Sequence, residues 1–236
     1  MLYFKISFVH KVIIYIGIFS TCLFKCLSGY EYFSSVLLFA TAPYVFRMLT
    51  ASSINDFFKY LRLCIYICFV GTIGFTVALL MHAYLRTGGN IISGLNIIWH
   101  NDVLRRTHGG NVADFDPVLA DSLRATTIQV VKQYILHWNT TVISLPILKH
   151  FSFLSFVVMA ILCSFRKNLK YTWKNIALII SFSLPALSWF IMAKSHSFVH
   201  THMNFVLWYM GGVAVMFYII FESLLIIWNH STTNSK

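Results

Sequence analysis

One short stretch of the sequence holds most of the side chains that could do chemistry. Lys194, His196, His200 and His202 lie within nine positions. His196 and His200 are one helical turn apart and could share a face, as two metal ligands do. His200 and His202 would share a face only in an extended chain. No single regular conformation gathers all three histidines, so the spacing predicts no metal site and no cofactor, with a haem or metal protein as an alternative.

A second basic feature is the pair Arg105 and Arg106, which stands in a long polar segment. Guanidinium, ammonium and imidazole groups donate the charge-assisted hydrogen bonds that bind phosphate. At the level of lipid headgroups, such a pocket suits a lipid-linked phosphate or pyrophosphate. Interfacial anchoring of the protein by the same long side chains is the alternative. The predicted substrate-binding residues are Arg105, Arg106, Lys194, His196, His200 and His202.

The composition decides what kind of protein holds these residues. The chain has 236 residues, of which 58% are hydrophobic and only 11% charged, whereas globular chains carry roughly 25% charged residues. There is too little polar surface to enclose a water-soluble core, so a soluble monomer is excluded. The formal net charge of +11 could attract nucleic acid. Because the charges lie between apolar runs, membrane topology explains them, and we predict no nucleic-acid partner.

Apolar runs that could cross a bilayer occur in six places. A helix needs about 20 residues to cross roughly 30 Å of hydrocarbon, and helices satisfy the backbone polar groups of such runs in lipid. The sequence therefore predicts an all-α polytopic membrane bundle of about six transmembrane helices with one external amphipathic helix. The predicted spans are approximately 8–27, 32–49, 61–85, 151–165, 176–193 and 205–228.

The predicted spans form two groups of three, in residues 1–85 and 151–236. Residues 86–150 between them have aqueous character and are too long for a bare connection. Asp116 followed by Pro117 is typical of a helix start, and a stripe of apolar residues follows it. We therefore predict an external amphipathic helix over residues 117–138. This helix would either cap the bundle or form one wall of a substrate cleft.

The distribution of basic residues predicts the orientation, because Lys and Arg accumulate in short cytoplasmic loops. If the N-terminus is inside, most of the remaining basic residues fall in or beside the long loop, where this rule has little force. We predict that both termini are cytoplasmic and that residues 86–150 lie outside. The cytoplasmic set is then Lys5, Lys11, Arg47, Lys59, Arg62, Arg166, Lys167, Lys170, Lys174 and Lys236.

Short motifs in the last spans and the long loop suggest a family. These motifs contain Pro185, Trp189, Phe190, His196, Ser197 and His200, together with Asp116, Pro117, Ser122, Leu123 and Tyr134. With them the chain resembles the late region of polytopic bacterial envelope proteins grouped with GT-C-like membrane glycosyltransferases. The resemblance covers residues 74–228.

This resemblance implies an integral membrane protein of cell-surface glycan assembly in the bacterial inner (plasma) membrane. The implied partners are membrane lipid and a polyprenyl-phosphate-linked sugar, and the implied activity is hexosyl transfer at the outer face. Such enzymes carry their catalytic acid in the first external loop, which here spans residues 28–31 and has Glu31 as its only acid.

The family also has more spans than this chain. The chain therefore resembles its C-terminal half, which implies a truncated enzyme or a protein partner that supplies the N-terminal half. The sequence assigns no catalytic residue. A non-catalytic membrane subunit or scaffold is the alternative.

Overall fold

The computed structural model describes residues 8–108, 110–137, 152–165 and 169–233. The regular secondary structure of these ranges is helical throughout, which confirms the all-α prediction. The helices are α1 (Phe8–Ser28), α2 (Phe33–Leu49), α3 (Ile54–Thr87), α4 (Ile91–Ile98), α5 (Ala120–Arg124), α6 (Thr127–Leu136), α7 (Phe153–Ser164), α8 (Leu169–Met192), α9 (Lys194–Val199), α10 (Thr201–Asn204), α11 (Val206–Trp208) and α12 (Ala214–Thr233).

Four helical stretches in the described ranges are long and apolar enough to cross a membrane, as in an integral membrane protein. They are α1, α3, α8 and Thr201–Ile226, which runs from α10 into α12. The sequence predicted six. The other two predicted spans are α2, with 17 residues, and α7, with 12. At about 1.5 Å per residue they extend roughly 26 Å and 18 Å, short of roughly 30 Å of hydrocarbon.

The largest hydrophobic core lies in the C-terminal half, among α6, α7, α8 and the run from α10 to α12. Tyr134 of α6 stacks on Phe190 of α8, with ring centroids 3.8 Å apart, and Phe153 of α7 stacks on Trp208 at 3.7 Å. The hydroxyl of Tyr134 donates to the carbonyl of Ser197 at 2.7 Å. Buried aromatic rings with a satisfied polar end fix the relative positions of these helices.

The chain turns back after α3 instead of entering a loop. Gly88 and Gly89, both with positive φ, form the turn, and the side chain of Asn90 caps α4 by accepting from Ser93 N at 3.0 Å. α4 then lies directly on α3: a Cβ added to Gly94 would be 2.0 Å from the carbonyl oxygen of Ala83. The helix continues through a π-helical turn, Trp99–Leu104, to Arg105.

The amphipathic helix predicted over residues 117–138 is divided into two. A 3₁₀ turn at Pro117–Leu119 leads into α5, which ends at Arg124, and α6 begins at Thr127. Thr126 and Gln129 form a reciprocal capping box that starts this second helix, the arrangement that satisfies free N–H groups at a helix N-terminus. Residue 138 lies outside the described residues, as do Lys5, Arg166, Lys167 and Lys236 of the orientation argument.

Candidate functional site

The predicted site residues lie at one end of the bundle, where α1, α3 and α8 end and where residues 88–108 and 110–137 are found. We call it the upper end. The hydroxyl of Tyr30, after α1, is 2.7 Å from Nδ1 of His82 in α3. Beside α8, Ser195 Oγ donates to the carbonyl of Thr107 at 3.1 Å, and His108 Nε2 lies 2.7 Å from the carbonyl oxygen of Ile191. These contacts tie three distant parts of the chain together.

A strained turn between α1 and α2 positions Glu31. A Cβ at Gly29 would lie 2.7 Å from the Glu31 carboxylate, and Tyr32 has a left-handed φ of 61°. A bulky residue in this conformation costs about 1–2 kcal/mol. The Tyr32 hydroxyl compensates by donating to Asn204 Oδ1 at 2.7 Å, and its ring packs on Trp189 at 5.1 Å. Strain of this kind tends to occur at functional sites.

The turn places Glu31 beside Arg106, 75 positions away in sequence, and their charged atoms are 2.5 Å apart. Burial raises the pKa of the Glu31 carboxyl. Hydrogen bonds from its own backbone N–H and from Arg106, with the guanidinium charge, outweigh burial, so the net pKa lies below its ordinary value. Glu31 is therefore a carboxylate at neutral pH and balances one of the two neighbouring arginine charges.

A polar cavity of about 140 Å³, here called the basic cavity, lies beside this ion pair. It brings together four of the six predicted substrate-binding residues, Arg105 and Arg106 from the end of the π-helical turn and His196 and His200 from α9 and its end. α5 and the turn before it form another wall through Ser122 and Leu119. Within the segment predicted as one amphipathic helix, α5 therefore lines the basic cavity, whereas α6 packs in the hydrophobic core.

His196 supplies hydrogen bonding to the basic cavity rather than positive charge. Burial lowers its pKa to about 4, and the electrostatic interactions with His200 and Arg106 act in the same direction, against the opposing effect of Glu31. The rings of His196 and His200 are 4.5 Å apart between centroids. A neutral imidazole donates a hydrogen bond at one nitrogen and accepts one at the other, so His196 offers hydrogen bonds while the arginines supply fixed positive charge.

The remaining two predicted residues, Lys194 and His202, lie outside the wall of the basic cavity. Lys194 is 7% exposed, and its ammonium donates to the carbonyl of Leu123 at 2.7 Å. Burial lowers its pKa. This hydrogen bond joins α9 to α5, and Lys194 is not part of the wall of the basic cavity. His202 is exposed, with its ring 6.1 Å from that of His200, and it lies in α10, outside the wall of the basic cavity.

A second cavity, of about 300 Å³ and here called the apolar cavity, opens on the other side of Arg106. Its wall is almost entirely hydrophobic and includes Phe33, Phe75, Leu79 and Trp189. The indole N–H of Trp189 is buried and has no hydrogen-bond partner among the described residues.

A third cavity, of about 450 Å³ and here called the acidic cavity, adjoins the basic cavity. Arg105 and Leu119 belong to the walls of both, and Asp102 belongs to the walls of the acidic and apolar cavities. The rest of the acidic cavity is formed by Arg86, Asn101, Asp114, Phe115 and Asp116. The three cavities therefore adjoin one another at these shared wall residues.

Glu31, Asp102 and Trp189 are site residues that the charge-cluster argument left out of the predicted set. Asp102 pairs with Arg86 at 2.8 Å, as Glu31 pairs with Arg106. The sequence contained one signal for the two acids. The chain has only 7 Asp and Glu against 18 Lys and Arg, and an acid in a membrane protein is costly unless it is paired. Which arginine pairs with which acid depends on the packing of α4 against α3.

The histidine stretch does not form a recognisable metal centre. In the part of the chain that the structure describes, no group of three or more His, Cys, Asp or Glu side chains is arranged to hold a metal ion. No protein-family model, curated protein or solved structure matches the chain. The chemistry of the three adjoining cavities is therefore the basis for a functional conclusion.

Proposed function

We propose that this protein binds a lipid-linked phosphate at the outer face of the bacterial inner membrane and acts there in cell-surface glycan assembly. The hydrocarbon chain lies in the apolar cavity and the phosphate in the basic cavity. The activity is GT-C-like transfer of a hexosyl group from a polyprenyl-phosphate-linked donor. A non-catalytic membrane subunit that holds the same lipid is the second candidate.

One observation carries this proposal: Arg106 belongs to the walls of both the apolar and the basic cavity. A ligand that fills both must have an apolar part and an anionic part joined at that arginine. A free sugar phosphate would leave the apolar cavity of about 300 Å³ empty. A fatty acid would leave the second arginine and the histidines without a ligand. An amphiphile with a phosphate at the junction satisfies both.

The membrane arrangement that accompanies this proposal has both termini in the cytoplasm and six crossings, with α2 and α7 as shortened spans. Membranes accommodate short apolar helices by local thinning or by snorkelling of flanking residues. In this arrangement the upper end is extracytoplasmic. That is the side on which a polyprenyl-linked sugar is used after its transfer across the membrane.

Equilibrium binding of a polyprenyl phosphate to the full-length protein in nanodiscs tests the proposal. Arg105→Gln is the cleanest single change, because Arg106 also neutralises Glu31. The Glu31→Gln/Arg106→Gln double variant removes that pair without leaving a half-buried unpaired charge. Each charge-assisted hydrogen bond lost should cost ~1.5–3 kcal/mol, which is about 10- to 150-fold in Kd.

Arg124→Gln is the matched control, because Arg124 is an exposed arginine of α5 outside the three cavities. Loss of diffuse attraction alone should cost about 1 kcal/mol and be screened over about 8 Å at physiological salt. The proposal requires the Arg105→Gln defect to exceed that of Arg124→Gln and to persist at moderate salt. Equal, salt-sensitive defects in both variants would leave the arginines as surface charge and refute it.

A further inference from the structure

The acidic cavity adjoins the basic cavity, and Arg105 and Leu119 belong to the walls of both. A phosphate held by Arg105 and Arg106 is therefore bordered by two further cavities, the apolar one at Arg106 and the acidic one at Arg105. If the lipid chain takes the first, the group on the other side of the phosphate must lie in the second.

The charges of the acidic cavity select against a further anion. Its wall holds three carboxylates, Asp102, Asp114 and Asp116, against the guanidinium groups of Arg86 and Arg105. Asp102 is already paired with Arg86 at 2.8 Å, and Arg105 faces the basic cavity as well. Asp114 and Asp116 are exposed. Ionised carboxylates only accept hydrogen bonds, so a complementary ligand presents donors such as hydroxyl groups.

The same cavity has a flat aromatic surface. Phe115 belongs to its wall, and the ring of His100 stacks on Phe115 with centroids 5.1 Å apart and planes 26° apart. The stack fixes the orientation of the Phe115 ring. Asn101 adds a side-chain amide, which both donates and accepts. A fixed ring beside converging polar groups is complementary to a sugar ring, which has apolar C–H faces and hydroxyl edges.

We infer that the acidic cavity binds the uncharged sugar of the lipid-linked donor and discriminates against sugars that carry a carboxylate. This inference rests on the proposed function and narrows its substrate class from any hexosyl phosphate lipid to one whose hexose is uncharged. Asp114 and Asp116 accept hydrogen bonds from the sugar hydroxyls, and Phe115 packs against the ring. The same two carboxylates repel a uronic acid.

Binding of three ligands to the full-length protein tests the inference: polyprenyl phosphate, polyprenyl-phosphate glucose and polyprenyl-phosphate glucuronate. Wild-type protein should bind the glucosyl lipid about tenfold more tightly than the bare phosphate, the factor that 1.4 kcal/mol produces, and the glucuronyl lipid more weakly than the glucosyl lipid. In Asp114→Asn/Asp116→Asn the affinity for the glucuronyl lipid relative to the glucosyl lipid should rise above the wild-type ratio, because the repulsion of the uronate is lost while any general gain for the phosphate affects both lipids alike.

Asp121→Asn is the control for each single variant, Asp114→Asn or Asp116→Asn, because it removes one negative charge from an exposed acid of α5 outside the cavities. Asparagine at 116 retains a side-chain oxygen for the Val118 N–H that Asp116 caps at 2.9 Å, so the turn is preserved. Phe115→Ala is a second test that changes no charge. It should reduce only the preference for the glucosyl lipid over the bare phosphate.

Two failures are distinguishable. If bare polyprenyl phosphate binds in an Arg105-dependent way, but glucose adds no affinity and the Asp variants leave glucuronate discrimination unchanged, the sugar assignment is overturned and the proposed function stands. If the wild type binds none of the three lipids, both are overturned.

Discussion

Gly94→Ala measures how far the site depends on the packing of α4 against α3. The Cβ of alanine would be 2.0 Å from the carbonyl oxygen of Ala83 and 2.5 Å from its carbonyl carbon. These are backbone atoms of a long helix, so no rotamer change relieves the overlap. To restore an ordinary contact distance, the two helices would have to move apart by about 1.4 Å. Since α4 continues into the π-helical turn, the shift reaches Arg105 and Arg106.

Two opposing energies decide whether Gly94→Ala stabilises or destabilises the folded protein. Alanine is more favourable than glycine inside a helix by about 1 kcal/mol, whereas overpacking costs about 1–3 kcal/mol, so Gly94→Ala should be destabilising by up to about 2 kcal/mol. Gly17→Ala in α1 is the matched control, because nothing lies within 4 Å of the added Cβ. That variant has only the favourable contribution and should be neutral or slightly stabilising.

Thermal unfolding of both variants in the same detergent, followed by polyprenyl phosphate binding, checks the prediction. A change of 1 kcal/mol shifts the midpoint by roughly 2–4 °C in a chain of this size. Gly94→Ala should lower the midpoint and weaken lipid binding, although residue 94 is not in the wall of the basic cavity. A Gly94→Ala protein as stable as Gly17→Ala, with unchanged binding, would refute the close packing of α4 on α3.

Two further predictions concern protonation and topology. Because the pKa of His196 is lowered to about 4 from an ordinary 6.5, the unfolded chain binds a proton between these values that the folded state excludes, so stability falls as pH falls through that window. The thermal midpoint of wild-type protein should therefore decrease more between pH 7.5 and 5 than that of His196→Gln, and parallel curves would contradict the neutral imidazole. Reporter fusions after Gly110 and Lys170 should lie on opposite sides, with Lys170 cytoplasmic. A cytoplasmic Gly110 would invert the orientation and remove the outer-face site.

The sequence alone was sufficient for the membrane class and most of the helices. An apolar run in lipid must satisfy its own backbone, so composition and run length predict helices without knowledge of the packing. The Asp116 cap was also predictable, because capping depends on neighbours two or three positions away. The exact number of membrane-length helices was not, because the apolar runs at 32–49 and 151–165 are themselves short and α2 and α7 do not extend beyond them.

Part of the site was also predictable from residue types, since Arg105, Arg106, His196 and His200 line one cavity. Tertiary structure alone decided which charges face a ligand. Lys194 has the composition of a phosphate ligand, but its ammonium is buried on a backbone carbonyl of α5.

Glu31 and Arg106 meet across 75 positions because α4 returns along α3, where only a glycine at 94 allows the close approach. Charge and hydrogen-bonding capacity belong to the residue, whereas burial, partner and pKa depend on packing between elements distant in the chain.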